Sequence, residues 1–321
     1  MTPIPTPILD DLLSAFGIAP RTATPVNGGY LNQKWKIDAA GQSYLLKQFS
    51  TVRYSSSNLN RIEAALQRQK YLYACGVCCP RVYNSNGTIL RRIRSEPYGE
   101  ITYMVMSYEA GSMPTPDTVS AAQMTSLGEQ CGHMHHALSV LDPTTDHHYP
   151  LTSADAVCRL AGHMEKLSGF DDYQIPPGLD AILSTLDIRF FDRMPRQLCH
   201  EDFSGDNLLF RGNTAVILDF DRGQYSFPLH DVGRALLSLA FDGVQLRLPL
   251  VRAFADGYRR YVPLSDDDLA DALRITFACE FPWWVHPDYE TMDNPKIRRF
   301  VNEMYYLIRV WGDLPTIVQG A

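Results

Sequence analysis

Short apolar runs of strand length dominate the first hundred residues, and a single helical pattern interrupts them. The segments "QKWKID" and "SYLLKQF" alternate in part between apolar and polar residues and are joined by "AAGQ", which predicts a hairpin. From Asn58 to Ala74 the apolar residues recur near helical spacing, and Gly76 follows as a stop signal. Asn86-Gly87 predicts a second hairpin, and "ITYMVMSY" is a further apolar strand. The order β-β-β-α-β-β predicts a small antiparallel sheet with one helix.

Helical spacing replaces the strand pattern after Gly111, apart from two short β pieces at residues 198–210 and 215–221. Helices are predicted at about residues 120–140, 154–168, 178–186, 230–242, 247–260 and 266–279. The boundary falls between Ser107 and Gly111, which gives a sheet lobe of residues 1–107 and a helical lobe of residues 108–321. Because strands cluster early and helices late, the predicted fold class is two-lobed α+β and not a doubly wound parallel sheet.

Composition and charge restrict the class of partner. The 321 residues carry a net charge of −7 at pH 7, which disfavours nucleic acid or an anionic membrane and leaves room for cationic small molecules. No apolar stretch reaches the ~18 residues of a spanning helix, and the N-terminus lacks the pattern of a signal peptide, so we expect a cytoplasmic protein. Seven irregularly spaced cysteines fit reduced thiols better than a disulfide framework.

The stretch "LCHEDFSGDNLLF" places a histidine, three carboxylates and an asparagine between apolar ends. His200, Asp202 and Asn207 match the spacing H-x-D-x-x-x-x-N of the kinase catalytic loop, in which the aspartate receives the acceptor's hydroxyl proton and the asparagine holds Mg²⁺. Asp219 closes the next apolar run, where a second magnesium ligand is required. Asp202 is therefore the predicted catalytic residue, and Asn207 and Asp219 are the predicted metal ligands. The alternative is a polar turn between two strands, in which Asp206 and Asn207 serve the turn.

The sheet lobe is predicted to bind ATP. Gly28 and Gly29 lie between two strand candidates, where backbone could close over phosphates. Lys47 is the lone cation in the apolar strand "YLLKQF", the position of a lysine that pairs with the α- and β-phosphates, and Glu63 is the candidate carboxylate that orients it. The alternatives are a surface lysine and a solvated helix residue.

The segment "YMVMSYEAG" leads out of the last strand of the sheet lobe, where an adenine-binding hinge is expected. The backbone of Ser107 and Glu109 would read the base, Met106 would pack on it, and Gly111 would free the turn.

Five segments resemble the aminoglycoside phosphotransferase family, part of a protein-kinase-like group with choline kinase and homoserine kinase. They are "NGGYLN", "YLLKQF", "LGEQCGHMH", "LCHEDFSGDNLLF" and "VILDFDRGQYSFPLHDVGRAL", and the resemblance covers about residues 25 to 240. The resemblance implies a protein-kinase-like fold, Mg²⁺-dependent phosphoryl transfer from ATP, and an aspartate, here Asp231, that braces the catalytic loop. One position departs from the family: Glu201 stands where the family usually has glycine, which adds a negative charge beside Asp202.

Two other functions compete with this interpretation. The segments "CEFPWWVHPDYE" and "DFDR" also resemble the CotS-like spore-coat branch, which implies a nucleotide-binding or coat-associated protein with little or no kinase activity. Lys47, Asp202, Asn207 and Asp219 are all present, and this disfavours a coat-associated protein without kinase activity.

A protein kinase would need a peptide-binding segment between Asp219 and Asp231, but only eleven residues, 220–230, separate them and no A-P-E follows. A small-molecule acceptor is therefore favoured. The protein is expected to be a monomer or a homodimer.

The acceptor is expected to bind in an acidic and aromatic pocket that faces Asp202. The predicted residues are Glu201, Ser204, Asp206, Glu280, Trp283 and Trp284. Carboxylates pair with ammonium groups and aromatic faces attract cations, so the predicted acceptor is cationic, such as an aminoglycoside, an amino sugar or a choline-like alcohol. The alternative is that the acids form a solvated rim and the tryptophans belong to the core.

Overall fold

The computed structural model describes residues 3–26, 32–143, 152–290 and 292–319. Its N-terminal strands are β1 (Thr22–Pro25), β2 (Gln33–Ala39), β3 (Gln42–Phe49), β4 (Arg91–Ser95) and β5 (Gly99–Ser107). They form one antiparallel sheet in the order β1-β2-β3-β5-β4. The hairpin of β2 and β3 is as predicted, whereas Asn86-Gly87 is enclosed only by an isolated bridge between Ser85 and Thr88, ahead of β4.

Both faces of this sheet are covered, by the helices α1 (Thr6–Phe16) and α2 (Ser56–Ala74). Along β5 the side chains alternate between the two sides, as strand geometry requires. Tyr103 and Val105 join the apolar cluster that contains residues of α1, and Met104 and Met106 join the cluster that contains residues of α2. This arrangement explains why β5 reads as an uninterrupted apolar run. The helix α1 was not predicted from the sequence.

Helices dominate the second part of the chain. They are α3 (Ala121–Ser139), α4 (Ser153–Ser168), α5 (Leu179–Thr185), α6 (Ile188–Arg193), α7 (Pro228–Ala240), α8 (Leu248–Tyr258), α9 (Asp266–Trp284), α10 (Pro287–Glu290), α11 (Pro295–Val310) and α12 (Leu314–Val318). Local sequence signals set several of their starts. Ser120 and Gln123 form a capping box before α3, and Ser265 and Asp268 form another before α9. All six helices predicted in this region are present, whereas α6, α10, α11 and α12 were not predicted.

Four short strands in this region hold the two acidic segments of the sequence. They are β6 (Gln197–Cys199), β7 (Leu208–Arg211), β8 (Thr214–Ile217) and β9 (Gln224–Ser226). β6 pairs antiparallel with β9, and β7 forms a second two-stranded sheet with β8. Residues 200–207 therefore connect β6 to β7, and residues 218–223 connect β8 to β9.

Close approach of the helical backbones depends on glycine at two contacts. A Cβ atom at Gly233 of α7 would lie 2.2 Å from the Ala272 carbonyl oxygen of α9. A Cβ atom at Gly257 of α8 would lie 2.0 Å from the Thr125 carbonyl oxygen of α3. Any larger residue would push these helices apart, so glycine at position 233 fixes the spacing of α7 and α9.

The described residues divide into two compact units. The first contains the chain up to Gly111 together with Ile217–Arg222, and the second begins at Ser112 and contains the remaining described residues. The return of Ile217–Arg222 to the first unit was not part of the predicted division at residue 107. None of the helices in the described ranges combines the length and apolar character needed to span a bilayer.

One partly buried ionic contact attaches α1 to the sheet. Arg91 donates two hydrogen bonds to the Asp11 carboxylate, at 2.8 and 2.7 Å, and the Tyr103 hydroxyl donates a third at 2.6 Å. The hydrogen bond from Arg91 holds the pKa of Asp11 below its ordinary value, although burial opposes this shift.

We expect Asp11→Asn to lower the free energy of unfolding by about 1.5–3 kcal/mol at pH 7, the range for hydrogen bonds to charged groups. Since the folded pKa lies below the unfolded one, this contribution is present above the unfolded pKa and is lost as the pH falls through the folded pKa. Urea unfolding at neutral and acidic pH measures it. Asp10→Asn is the matched control, because Asp10 is the exposed neighbour in α1. Equal unfolding free energies for the two variants at pH 7 would contradict the attachment.

Candidate active site

The loop formed by residues 200–207 is anchored at its start by one buried carboxylate. Asp231, in the first turn of α7, accepts the backbone N–H of His200 at 2.8 Å on one oxygen and that of Glu201 at 2.9 Å on the other. The geometry agrees with the bracing role that the family resemblance implies for Asp231. The start of the loop is therefore fixed by main-chain hydrogen bonds and does not depend on the conformation of an exposed side chain.

His135 fixes the charge and orientation of Asp231. His135 Nε2 lies 3.1 Å from Asp231 Oδ2, and His135 Nδ1 lies 2.8 Å from the Tyr258 hydroxyl oxygen. Burial alone would raise the pKa of Asp231, but the hydrogen bond with His135 and the neighbouring imidazoles hold that pKa below its ordinary value. Because the ionised carboxylate can only accept, His135 donates to it from Nε2.

Asp202 and Asn207 are held by the rest of the loop. The Asp202 N–H donates to His200 Nδ1 at 3.2 Å, and Asn207 Nδ2 donates to the Asp202 carbonyl oxygen at 2.8 Å. The Gly205 N–H donates to Ser238 Oγ at 2.8 Å. Within the described ranges no group donates to the Asp202 side chain, so a rigid backbone presents a carboxylate that can accept a hydroxyl proton.

Lys47 lies on β3 with only 3% of its surface exposed. Its Nζ donates to Asp219 Oδ1 at 2.8 Å and to Asp221 Oδ2. Burial alone would lower the pKa of Lys47, but the charges of Asp219 and Asp221 raise it above its ordinary value, so the lysine is charged. The sequence interpretation missed Asp221, for which the spacing of the two acids in "DFD" was the available signal.

A second lysine approaches the same carboxylates. Lys34 lies directly opposite Lys47 on the neighbouring strand β2, and its Nζ is 3.7 Å from Asp219 Oδ2. Like charges directly opposite each other in a sheet are destabilising, so this pair of lysines needs anions close by. We refer to Lys34, Lys47, Asp219 and Asp221 as the lysine–carboxylate cluster; all four residues belong to the first compact unit.

The oxygen atoms of the cluster suit a divalent cation. Asp221 Oδ1 is buried and has no hydrogen-bond partner among the described residues. Asp219 has a φ of 58°, a left-handed conformation that aspartate tolerates better than most residues, and both acids of this turn reach the same lysine. Carboxylate oxygens are hard ligands of the kind that Mg²⁺ prefers, so the residues present fit this ion.

The expected pairing of Glu63 with Lys47 is not present. The two Glu63 oxygens instead accept the backbone N–H groups of Ile89 and Leu90, each at 2.7 Å. Glu63 therefore holds the segment that leads into β4, and Asp221 provides the carboxylate beside Lys47 that was expected from Glu63. The two glycines predicted to close over phosphates, Gly28 and Gly29, lie outside the described residues.

The predicted adenine hinge lies at the C-terminal end of β5, where hydrogen bonds hold its residues. Met106 is buried, and the Ser107 N–H donates to the Arg81 carbonyl oxygen at 2.8 Å. The Ser107 hydroxyl donates to Glu109 Oε1 at 2.7 Å. Since the Ser107 N–H already has a partner, the reading of a base by the backbone of Ser107 and Glu109 stays a prediction.

The residues predicted to bind the acceptor do not share one open surface. Glu280 is buried, and its Oε2 accepts from Arg234 at 2.6 Å and from Trp284 Nε1 at 3.1 Å. Ser204 is buried as well, whereas Trp283 has 62% of its surface exposed. The expectation that Glu280 faces a cationic acceptor is therefore corrected, because its charge is compensated inside the protein.

Glu201 and Asp206 also have partners within the chain. Gln224 Nε2 donates to Glu201 Oε2 at 2.9 Å, and His230 Nδ1 lies 3.4 Å from Glu201 Oε1. Lys296 Nζ lies 2.6 Å from Asp206 Oδ2. The acids that were expected to form an open acidic pocket are thus paired with basic and amide groups that the sequence interpretation did not connect to them.

Comparison with known proteins places this geometry in a family and a fold. Residues 22–264 match the sequence model of the phosphotransferase enzyme family. No curated protein matches the chain in sequence. Among solved structures, an amicoumacin kinase in complex with AMP-PNP, Ca²⁺ and Ami is 16% identical, with a TM-score of 0.67 over 95% of this chain and 93% of that chain.

Two further solved structures are similar over nearly their whole length. A microcompartment-associated aminopropanol kinase is 13% identical, with a TM-score of 0.61 over 98% of this chain and 99% of that chain. A choline/ethanolamine kinase family protein from Mesorhizobium loti is 14% identical, with a TM-score of 0.58 over the same two shares, 98% and 99%. Similarity at these identities shows the fold, and the predicted two-lobed, protein-kinase-like α+β class is confirmed.

We expect Asp231→Asn to lower the free energy of unfolding by about 3–5 kcal/mol, the range for breaking a buried charged interaction. An amide has one acceptor oxygen, which cannot serve the N–H groups of His200 and Glu201 and the His135 imidazole together. Urea unfolding followed by tryptophan fluorescence measures the loss. Asp256→Asn is the control, since the Asp256 side chain is 61% exposed and its loss should change stability by less than about 0.5 kcal/mol. Similar losses in both variants would contradict the anchoring role.

Proposed function

The chain belongs to the phosphotransferase enzyme family, and on this premise we propose that it is an ATP- and Mg²⁺-dependent kinase that phosphorylates a hydroxyl group of a small molecule. The observation that carries the proposal is the lysine–carboxylate cluster, in which a buried, charged Lys47 is held by both acids of the "DFD" segment. Such a lysine is suited to contact the phosphates of a nucleotide, and Lys34 adds a second positive charge. The carboxylate of Asp202 supplies the acceptor side of the reaction.

Mg²⁺ would be held by Asn207, Asp219 and the unpaired oxygen of Asp221, and when bound it supplies positive charge to the phosphate oxygens. Lys47 is charged, and its contacts with Asp219 and Asp221 orient the two carboxylates. Asp231 and His135 keep the loop that carries Asp202 and Asn207 in one conformation.

In the proposed reaction the hydroxyl oxygen of the acceptor attacks the γ-phosphorus of ATP. A bond forms between that oxygen and the phosphorus, and the bond from the phosphorus to the β–γ bridging oxygen breaks. The electron pair of the broken bond leaves on ADP, and the hydroxyl proton passes to the carboxylate of Asp202. Hydrogen bonds between the Asp202 backbone and the side chains of His200 and Asn207 hold Asp202 in position for this transfer.

The proposed acceptor is a small, cationic amino alcohol or aminoglycoside. Two of the similar structures are named for aminopropanol and choline or ethanolamine, which combine a hydroxyl with an amine or ammonium group. On this chain the exposed face of Trp283 offers a contact for a cation. The compensated carboxylate of Glu280 is not part of the proposed acceptor site.

We expect Asp202→Ala to lower kcat by about 10²–10⁴-fold, the usual contribution of a general base, with the Kd for Mg-ATP within about twofold of the wild type. Asp219→Ala should instead weaken Mg-ATP binding itself, because it removes a metal ligand and a partner of Lys47. Calorimetric titration with Mg-ATP and a coupled ADP-release assay separate the two effects. Turnover at the wild-type rate in both variants would contradict the assignment.

Screening of acceptors tests the substrate class. We expect aminoglycosides or amino alcohols to raise ADP release above the acceptor-free rate, and homoserine and neutral sugars to have less effect. Turnover with neutral sugars only would contradict the cationic acceptor and leave the kinase assignment in place. Binding of Mg-ATP without transfer to any hydroxyl compound would favour the nucleotide-binding or coat-associated alternative.

A further inference from the structure

Glu201 occupies a backbone conformation that favours glycine. Its φ is 67°, in the left-handed region, where a residue with a Cβ atom costs about 1–2 kcal/mol. The aminoglycoside phosphotransferase pattern usually has glycine at this position. A strained residue persists only where the surroundings hold it, and here the side chain is 13% exposed and is held by Gln224 and His230.

From Glu201 a series of charges leads through α7 and α9 to α11. His230 lies 3.4 Å from Glu201 on one ring nitrogen and 3.3 Å from Glu280 on the other. One helical turn further along α7, Arg234 donates to Glu280 at 2.6 Å and also donates to Glu303. Glu303 lies on α11 and is completely buried. The separation of α7 and α9 that this series requires is the one that Gly233 permits.

The same series returns from α11 to the loop. Arg299 Nε lies 3.7 Å from Glu303 Oε1, and Arg299 Nη2 lies 3.5 Å from Asp206 Oδ2. Lys296 Nζ lies 2.6 Å from the same Asp206 oxygen. The ion pairs that begin at Glu201 thus end at Asp206. Asp202, the proposed general base, lies between these two residues in the chain.

Aromatic side chains cover the middle of the series. The Phe300 ring stacks on Trp284 with centroids 4.4 Å apart. The guanidinium groups of Arg234 and Arg299 lie 5.0 and 4.8 Å from the centre of the Phe300 ring. These contacts restrict solvent access and hold the planes of the two arginines, which strengthens the ion pairs.

We propose that Glu201 is a positioning residue, and that α11 sets the position of the catalytic loop through a closed series of ion pairs that joins Glu201 to Asp206. We call these residues the loop–α11 series; they are Glu201, His230, Glu280, Arg234, Glu303, Arg299, Lys296 and Asp206. Buried ion pairs add little net stability compared with apolar residues of similar size, but they can specify one arrangement among several. The series therefore fixes the position of the loop and adds little stability. This proposal rests on the proposed kinase function.

Four variants test the proposal in the full-length protein. Arg299→Gln removes the link between Glu303 and Asp206, and Arg298→Gln is its matched control, because Arg298 pairs with the exposed Asp293 instead. Glu201→Gln removes the charge at the other end of the series. Glu201→Gly removes both the side chain and the backbone strain.

We expect Arg299→Gln, Glu201→Gln and Glu201→Gly each to lower kcat by about tenfold or more, as small misplacements of a catalytic group do. The Kd for Mg-ATP should change less than kcat, because the lysine–carboxylate cluster is untouched and Asn207 is the one proposed metal ligand on the loop, and Arg298→Gln should match the wild type. A purely structural role predicts that Glu201→Gly, with its strain relieved, keeps the wild-type kcat. Wild-type kcat in Glu201→Gly or in Arg299→Gln would overturn the proposal.

Hydrogen exchange separates this proposal from the kinase assignment, since it needs no substrate. Peptides that cover residues 198–209 should exchange faster in Arg299→Gln than in Arg298→Gln or the wild type, because the distal hold on the loop is lost. If the wild type transfers no phosphoryl group but this difference is present, the kinase assignment fails and the coupling of α11 to the loop stands. Equal exchange in Arg299→Gln and Arg298→Gln would overturn the coupling.

Discussion

The burial of the Lys47 ammonium is the constraint on which the candidate site depends. An ammonium group without water is costly unless anions compensate it, and Lys47 meets this requirement with Asp219 and Asp221. Both acids follow β8. The residues before Ile217 and after Arg222 belong to the helical part of the chain. Pairing with Lys47 explains why Ile217–Arg222 packs with the N-terminal sheet and not with the residues on either side of it. This pairing contributes to the placement of Asp219, the proposed metal ligand.

A second buried charge places the loop of residues 200–207 in a comparable way. Asp231 sits at the start of α7 and holds two successive main-chain N–H groups of the loop, while His135 of α3 orients it. The two anchors use different chemistry. Lys47 is held by charge, and the loop is held by hydrogen bonds from its backbone, which leaves the Asp202 side chain available. Ion pairs from α11 to Asp206 fix the other end of the same loop.

The sequence predicted what depends on local pattern and short spacing, and missed what depends on distant pairing. The sheet, the six helices and the acidic loop follow from periodicity and from the H-x-D-x-x-x-x-N spacing, all of which act over a few residues. The partner of Lys47 lies more than 170 positions away in Asp219 and Asp221, so no local signal selects it over Glu63. Glu280 was interpreted as an acid that lines the acceptor pocket, although its place in the apolar run "FACEFPWW" is typical of a buried residue with a partner. That partner, Arg234, could be found only by folding α7 against α9.

The most direct test of the central claim follows the γ-phosphoryl group itself. The wild-type protein would be incubated with Mg²⁺, ATP carrying an isotopic label in the γ-phosphate, and a mixture of hydroxyl compounds, and the products separated by mass spectrometry. The account predicts that one compound gains a labelled phosphate in equal amount to the ADP formed, and that Asp202→Asn forms neither. A label found only in inorganic phosphate, or label transfer that persists unchanged in Asp202→Asn, would contradict a kinase that uses this loop.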